Sequence, residues 1–196
     1  MLKNIALKAG YILPVLVFLG LLAFTGFSQT KSPQFDSLSA DQLKSAVVHF
    51  TRTQCYGTCP AYKLTINGDG RVEYEGVENV KVKDKRTGKI AESDLRAIMA
   101  AFSKAKFYSI GKDVSESNCT CNLCTDFPNV ITEISIGGVS HRVDHYHGCA
   151  CASKELFNLE TEIDRIAKTE QWTGDVSKAG PFGTTCFPPK PGTPRQ

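Results

Sequence analysis

The stretch KLTINGDGRVEY, Lys63 to Tyr74, contains two runs of alternating apolar and polar residues around an Asn-Gly-Asp-Gly centre. Leu64 and Ile66 mark the inner side of the first run, and Val72 and Tyr74 that of the second. Successive side chains of a strand point to opposite faces, and glycine lets the chain reverse tightly, so the stretch predicts a β-hairpin with one buried face. Asn67, Asp69 and Gly70 also have the spacing of a calcium loop. Thr65 and Gly76 stand where that loop needs carboxylates, which leaves a turn as the role of these residues.

The alternation extends on both sides. AVVHFTRT (46–53) places Val48, Phe50 and Arg52 on one face and His49 on the exposed one, and AYKLTI (61–66) adds Tyr62 to the inner set. ENVKVKDKR (78–86) reads as a further strand, with Val80 and Val82 inward and Lys81, Lys83 and Lys85 outward, where charge discourages edge pairing. The period then changes to a helical one. Leu95, Ile98, Met99, Phe102 and Ala105 predict an amphipathic helix over Glu92 to Lys106. NVITEISI and VSHRVDHY, joined at Gly137-Gly138, predict a second hairpin. Ser153 caps a second helix whose stripe is Leu156, Leu159, Ile163 and Ile166. The fold class is therefore α+β: a two-layer domain with an antiparallel sheet of about five to six strands and both helices on one face. Its core comprises Phe50, Leu64, Ile66, Val72, Tyr74, Ile134 and Ile136 against Leu95, Ile98, Phe102, Leu159, Ile163 and Ile166.

The ends set the compartment. Lys3 and Lys8 precede an uncharged apolar run from Ala9 to Phe27, and Gly26-Phe27-Ser28 offers the small residues of a cleavage site. Residues 1–28 thus read as a signal peptide cleaved after Ser28 or, since the run approaches the length of a span, as an N-terminal membrane anchor. Either places the remainder outside the cytosol, in the periplasm or beyond. Residues 29–45 read as a flexible leader, 46–174 as one domain, and 175–196, rich in Pro and Gly, as a tail without regular structure. Beyond residue 28 the basic and acidic residues balance to within one charge, which excludes the electrostatic footprint of a nucleic-acid binder.

HYHGCAC, His145 to Cys151, puts His145, His147, Cys149 and Cys151 on one side of an extended chain, and NCTCNLC supplies Cys119, Cys121 and Cys124. Together these seven residues form a soft nitrogen and sulfur set adequate for zinc or copper. Eight cysteines outside the cytosol favour disulfides instead, so no metal cofactor is expected and the cluster is kept as the alternative. Cysteines one residue apart rarely bond each other, so Cys149 and Cys151 pair with two of Cys119, Cys121 and Cys124, and Cys186 takes the third. Cys55 and Cys59 close their own turn, for which Gly57 would supply a positive φ. The three residues between them do not match the two of a thioredoxin-like redox pair.

Familiar catalytic patterns are missing, among them Gly-x-Ser-x-Gly, His-Glu-x-x-His and a phosphate-cradling glycine loop. His141 shares a face with Val139 and Val143 and reads as packed or capping. Glu160, Glu162 and Asp164 read as the polar side of the second helix, with no catalytic role.

RTQCYGTCPAY, Arg52 to Tyr62, resembles the signature of a family of bacterial envelope proteins known as domain of unknown function DUF6438. The resemblance continues through INGDGRVEYEG, TDFP (125–128), VDHYHG and LETEIDRIAKTEQWTG. It implies a secreted α+β domain with no established reaction or ligand, whose motif positions here are Arg52, Cys55, Tyr56, Gly57, Cys59, Pro60 and Tyr62. The expected function is accordingly a non-catalytic, disulfide-stabilised envelope domain that acts by binding or as structure. Its partner is unidentified, with a protein of the cell envelope as the natural class; a membrane contact would come only through an uncleaved N-terminal segment. The alternative is a metal-binding or thiol-redox protein.

Overall fold

The computed structural model describes residues 32–114, 117–176, 179–183 and 185–187. The expected signal peptide or anchor, residues 1–28, lies outside them. Among the described residues no helix is long and apolar enough to cross a membrane.

The Lys63–Tyr74 stretch forms the hairpin of β2 (Ala61–Asn67) and β3 (Arg71–Glu78), and Asp69 turns the corner by accepting a hydrogen bond from the Arg71 backbone N–H at 2.9 Å. Around it are β1 (Val47–Arg52), β4 (Lys85–Lys89), β5 (Asp113–Val114), β7 (Asn129–Ile136) and β8 (Val139–Tyr146), in the order β4-β3-β2-β1-β7-β8-β5. The fold is α+β, but the sheet is larger than expected, with seven strands, and it is mixed because β5 pairs parallel to β8. A second, two-stranded sheet joins β6 (Leu123–Cys124) to β9 (Cys186–Phe187). The turn between β7 and β8 uses Gly137 and Gly138 at φ 57° and 83°, a conformation that a side chain would strain.

One face of the large sheet is covered by α2 (Glu92–Lys104) and α3 (Lys154–Ala167), which pack against each other. Strand register lines the core into rows across the sheet. Tyr74, Leu64, Phe50, Thr132 and Val143 form one row, and Val72, Ile66, Val48, Ile134 and His141 the next. The helices bury Leu95, Ile98, Met99 and Phe102 from α2 and Leu156, Leu159, Ile163 and Ile166 from α3 against them. α3 begins at Ser153, whose hydroxyl accepts a hydrogen bond from the Leu156 N–H. His141 is packed edge-on to Phe107, and its Nε2 lies 2.9 Å from the Ile110 carbonyl. His49 faces solvent beside Thr65.

Several expectations need correction. Residues 79–84 are not strand: Asn79 takes φ 53° and breaks the run, and the paired strand is Lys85–Lys89. Val80 and Val82 nonetheless pack against the core, and the N–H groups of Lys81 and Val82 donate to the Thr173 and Trp172 carbonyls at the short helix α4 (Glu170–Thr173). α2 stops at Lys104, since Lys106 adopts a left-handed conformation. The segment read as a flexible leader is folded from residue 32 on. It contains a 3-10 turn, Phe35–Ser37, and α1 (Ala40–Lys44), the latter held by a capping box between Ser39 and Gln42. Burial explains this: Phe35 stacks on Tyr108 at 4.9 Å and on Phe102 at 5.4 Å, and Leu38 and Leu43 complete the core edge. Part of the Pro/Gly-rich tail is structured too. Residues 179–183 cross the Cys55–Cys59 turn, where the Thr58 N–H donates to the Gly180 carbonyl and the Phe182 N–H to that of Tyr56. Gly57 does not use a positive φ; its role is space, because a Cβ there would sit 2.1 Å from the Gly180 carbonyl oxygen.

Candidate functional site

All eight cysteines are bonded, as Cys55–Cys59, Cys119–Cys149, Cys121–Cys151 and Cys124–Cys186. The first closes the turn between β1 and β2. The next two lie side by side, their four sulfurs within 4.8 Å of one another, and the last anchors β9 to β6. A disulfide sulfur is not a thiolate, so in this state the sulfurs of the alternative soft cluster do not offer metal ligands. The histidines separate from them in space. β8 ends at Tyr146, the Cys149 N–H bonds back to the Tyr146 carbonyl, and the alternation of HYHGCAC stops after His147.

The polar site lies one row beyond the apolar ones. Register places Gly76, Tyr62, Arg52, Val130 and His145 side by side across β3, β2, β1, β7 and β8 on the helix-covered face. Three of these five are polar, and the side chains that meet them come from α3. Asp164 accepts from Arg52 Nε and Nη2, each at 2.8 Å, and from the Tyr62 hydroxyl, and Thr169 Oγ1 approaches its Oδ1 at 3.1 Å. One turn earlier, Glu160 bridges two imidazoles: Oε1 lies 2.7 Å from His145 Nδ1 and Oε2 lies 2.7 Å from His147 Nε2. His145 and Glu160 are fully buried, whereas the His147 side chain is 18% exposed. Phe157 packs edge-on to His145 and tilted against His147.

The inward placement of Glu160 and Asp164 corrects their reading as a solvent-facing side; of the three acids only Glu162 faces outward, paired with Arg165 at 2.6 Å. Leu156, Glu160, Ile163 and Ala167 recur at spacings of four, three and four, so Glu160 occupies a core position of the helix. That spacing, read with the two histidines at alternate positions of one strand, is the signal that could have found the site.

Burial and charge fix the protonation states. Burial works against the Arg52 guanidinium, but Asp164 and then Tyr62 outweigh it, and its pKa is raised above the ordinary value. Burial, followed by Asp164, pushes the Tyr62 hydroxyl well above its usual pKa. Burial also raises Glu160, but the hydrogen bonds from His145 and His147 prevail and hold its carboxyl below the usual range. Burial lowers His147, against the opposing pull of Glu160. At neutral pH the site therefore holds a cationic Arg52, a phenolic Tyr62, an ionised Glu160 and a neutral His147.

Beside this network opens a cleft of about 930 Å³. Its lining includes Arg52, Tyr62 and Asp164 of the network, Pro60 and Pro128, and Val176 and Ala179 from the chain after α4. Of the motif positions, Arg52, Cys59, Pro60 and Tyr62 line it, while Tyr56 projects into solvent at 72% exposure. No curated protein compared with the chain matches it. Residues 46–167, which hold every side chain of the polar row and both of its α3 partners, match the family model described as a domain of unknown function. They are more than half of the chain, which therefore belongs to the DUF6438 family.

Proposed function

We propose that the chain is an exported, disulfide-stapled envelope domain that acts by binding rather than catalysis, and that its ligand docks in the cleft over Arg52. The observation that carries this reading is the cleft itself. It is the place where the turn motif, α3 and the tail meet, and it combines an apolar lining with the fixed Arg52–Asp164 ion pair. Four of its polar side chains, Arg52, Tyr62, Asp164 and Thr169, are engaged with each other. Asp164 already accepts from Arg52, Tyr62 and Thr169, and Tyr62 is held protonated, which suits a rigid recognition surface better than proton transfer. Four disulfides are the product of an oxidising compartment and support export. A thiol-redox role has less support, because Cys55–Cys59 closes a turn between strands, away from any helix N-terminus. The class of ligand that fits is a segment of an envelope protein with an apolar body and a polar end.

Site-specific photocrosslinking in the native host tests the reading. A photoreactive residue at Lys168, on the cleft, should trap a discrete partner, whereas one at Glu73, on the uncovered sheet face, should not. Equal trapping from both positions, or none from the cleft, would overturn it. Recovery of the protein by osmotic shock with Gln29 at its N-terminus tests export and cleavage in the same cells.

A further inference from the structure

We infer that His145, His147 and Glu160 form a three-ligand site for a first-row divalent cation, zinc in particular. This does not depend on the cleft. The residue types are those of an N2O ligand set, and the fold presents them without rearrangement of the backbone. Two histidines at alternate positions at the end of β8 direct their rings to the helix-covered face, and Glu160 on α3 lies between them. The three ligand atoms lie within 4.8 Å of one another. Tetrahedral zinc with nitrogen and oxygen ligands at about 2.1 Å needs them roughly 3.4 Å apart, an adjustment within the reach of side-chain torsions.

The orientation of the groups matches as well. Each carboxylate oxygen of Glu160 is already directed at one imidazole nitrogen, at 2.7 Å, so all three side chains converge on one point. At present each imidazole nitrogen facing Glu160 holds a proton in a hydrogen bond, and ligation would move that proton to the other ring nitrogen. For His145 the unmet buried atom is Nε2 in both states, an acceptor before ligation and a donor after it, so the number of unmet atoms does not rise. The Arg52 guanidinium is neutralised by its ion pair with Asp164 and leaves Glu160 to the histidines. Phe157 walls the rings on one side, and His147, the least buried ligand, marks the route from solvent.

With His145 fully buried, such an ion would act as a structural clamp. It would tie the end of β8 to α3 just before the chain enters the paired disulfides at Cys149 and Cys151. Zinc suits that role because it imposes no redox chemistry and accepts the mixed nitrogen and oxygen set.

The test uses the full oxidised protein, stripped with a chelator and titrated with Co²⁺ alone. One equivalent should bind, giving visible d–d bands without a sulfur-to-cobalt charge-transfer band, and one equivalent of Zn²⁺ should displace it. Glu160→Gln and His147→Ala should each weaken binding by at least about tenfold. If Glu160→Gln fails to fold, His147→Ala decides, since that side chain is partly exposed. The absence of a one-to-one complex, a thiolate charge-transfer band, or full affinity in the folded variant would each overturn the assignment and leave Glu160 as a carboxylate satisfied by two imidazoles.

Discussion

Asp164→Ala should be among the most damaging single changes in this protein, and its cost can be worked from the contacts it removes. The carboxylate accepts from two nitrogens of Arg52, from the Tyr62 hydroxyl and from Thr169. Arg52 is only 17% exposed, so the substitution strands a guanidinium that water reaches poorly, together with a phenol on a residue that is 2% exposed. Breaking one partner of a buried ion pair costs about 3–5 kcal/mol, against a total stability of roughly 5–15 kcal/mol for a domain. With a urea slope of about 2 kcal/mol/M, the unfolding midpoint should fall by about 2 M, measured by circular dichroism with the disulfides intact. The same physics predicts that removing Arg52, Tyr62 and Asp164 together is milder than removing the acceptor alone. Arg52→Met, Tyr62→Phe and Asp164→Leu combined should be more stable than Asp164→Ala alone, because the guanidinium and the phenol are then gone and Thr169 Oγ1 keeps the backbone carbonyl of residue 164 as an acceptor. A cost for Asp164→Ala below about 1 kcal/mol, or a triple variant less stable than the single one, would refute the claim that these groups are desolvated together.

Phe102→Ala and Ile163→Ala should each destabilise by about 2–5 kcal/mol in the same urea assay, since both side chains are fully buried between the layers. Stability should fall with acid. His147, with its folded pKa depressed, contributes stability that is lost as pH drops through the ordinary histidine range and the unfolded chain takes up the proton. Glu160, also depressed, adds a loss below the ordinary carboxylate range, and Glu160→Gln should flatten that lower part of the profile in pH-dependent thermal melts. Cys186→Ala opens a bridge with a sequence separation of 62, for which chain entropy gives about 4 kcal/mol. Among its described residues the tail is otherwise held by a two-residue ladder and a few hydrogen bonds, so the expected result is local release, seen as proteolysis confined to the region after Val176.

What the sequence revealed divides along physical lines. The hairpin Lys63–Tyr74, the second hairpin at Gly137-Gly138 and both amphipathic helices were legible because one face of each is buried and the other wet, which imprints a period on the residues. β4 escapes the pattern because Val80 and Val82 pack partly buried against the core beside α4 without strand pairing, and burial alone cannot tell strand from irregular chain. Residues 32–45 looked like a leader because their polar composition hides Phe35, Leu38 and Leu43, too widely spaced to suggest an element. His145 and His147 could be put on one face, but their partner could not be named. An acidic residue on an amphipathic helix ordinarily faces water, and the exception exists here only because another chain segment, far away in sequence, brings cations and imidazoles to meet it.

Why the exception sits where it does follows from register. A sheet that buries one face against two helices must fill every row of that face. The central rows, through Phe50 and Val48, lie under the apolar stripes of α2 and α3 and are nearly all apolar. The row of Tyr62, Arg52, Val130 and His145 lies beside the open cleft, where water reaches part of it and apolar filling would leave a surface unprotected. Polar side chains are tolerated there only if each finds a partner that burial does not take away. Glu160 and Asp164, four residues apart on α3, are spaced one helical turn, so one helix edge can serve Arg52 and Tyr62 with the second acid and both histidines with the first. The disulfide turn at Cys55–Cys59 and the tail crossing at Gly57 then close over the same end of the sheet. Cross-links thus brace a part of the core where paired polar groups replace apolar packing, as a binding surface or a metal clamp requires.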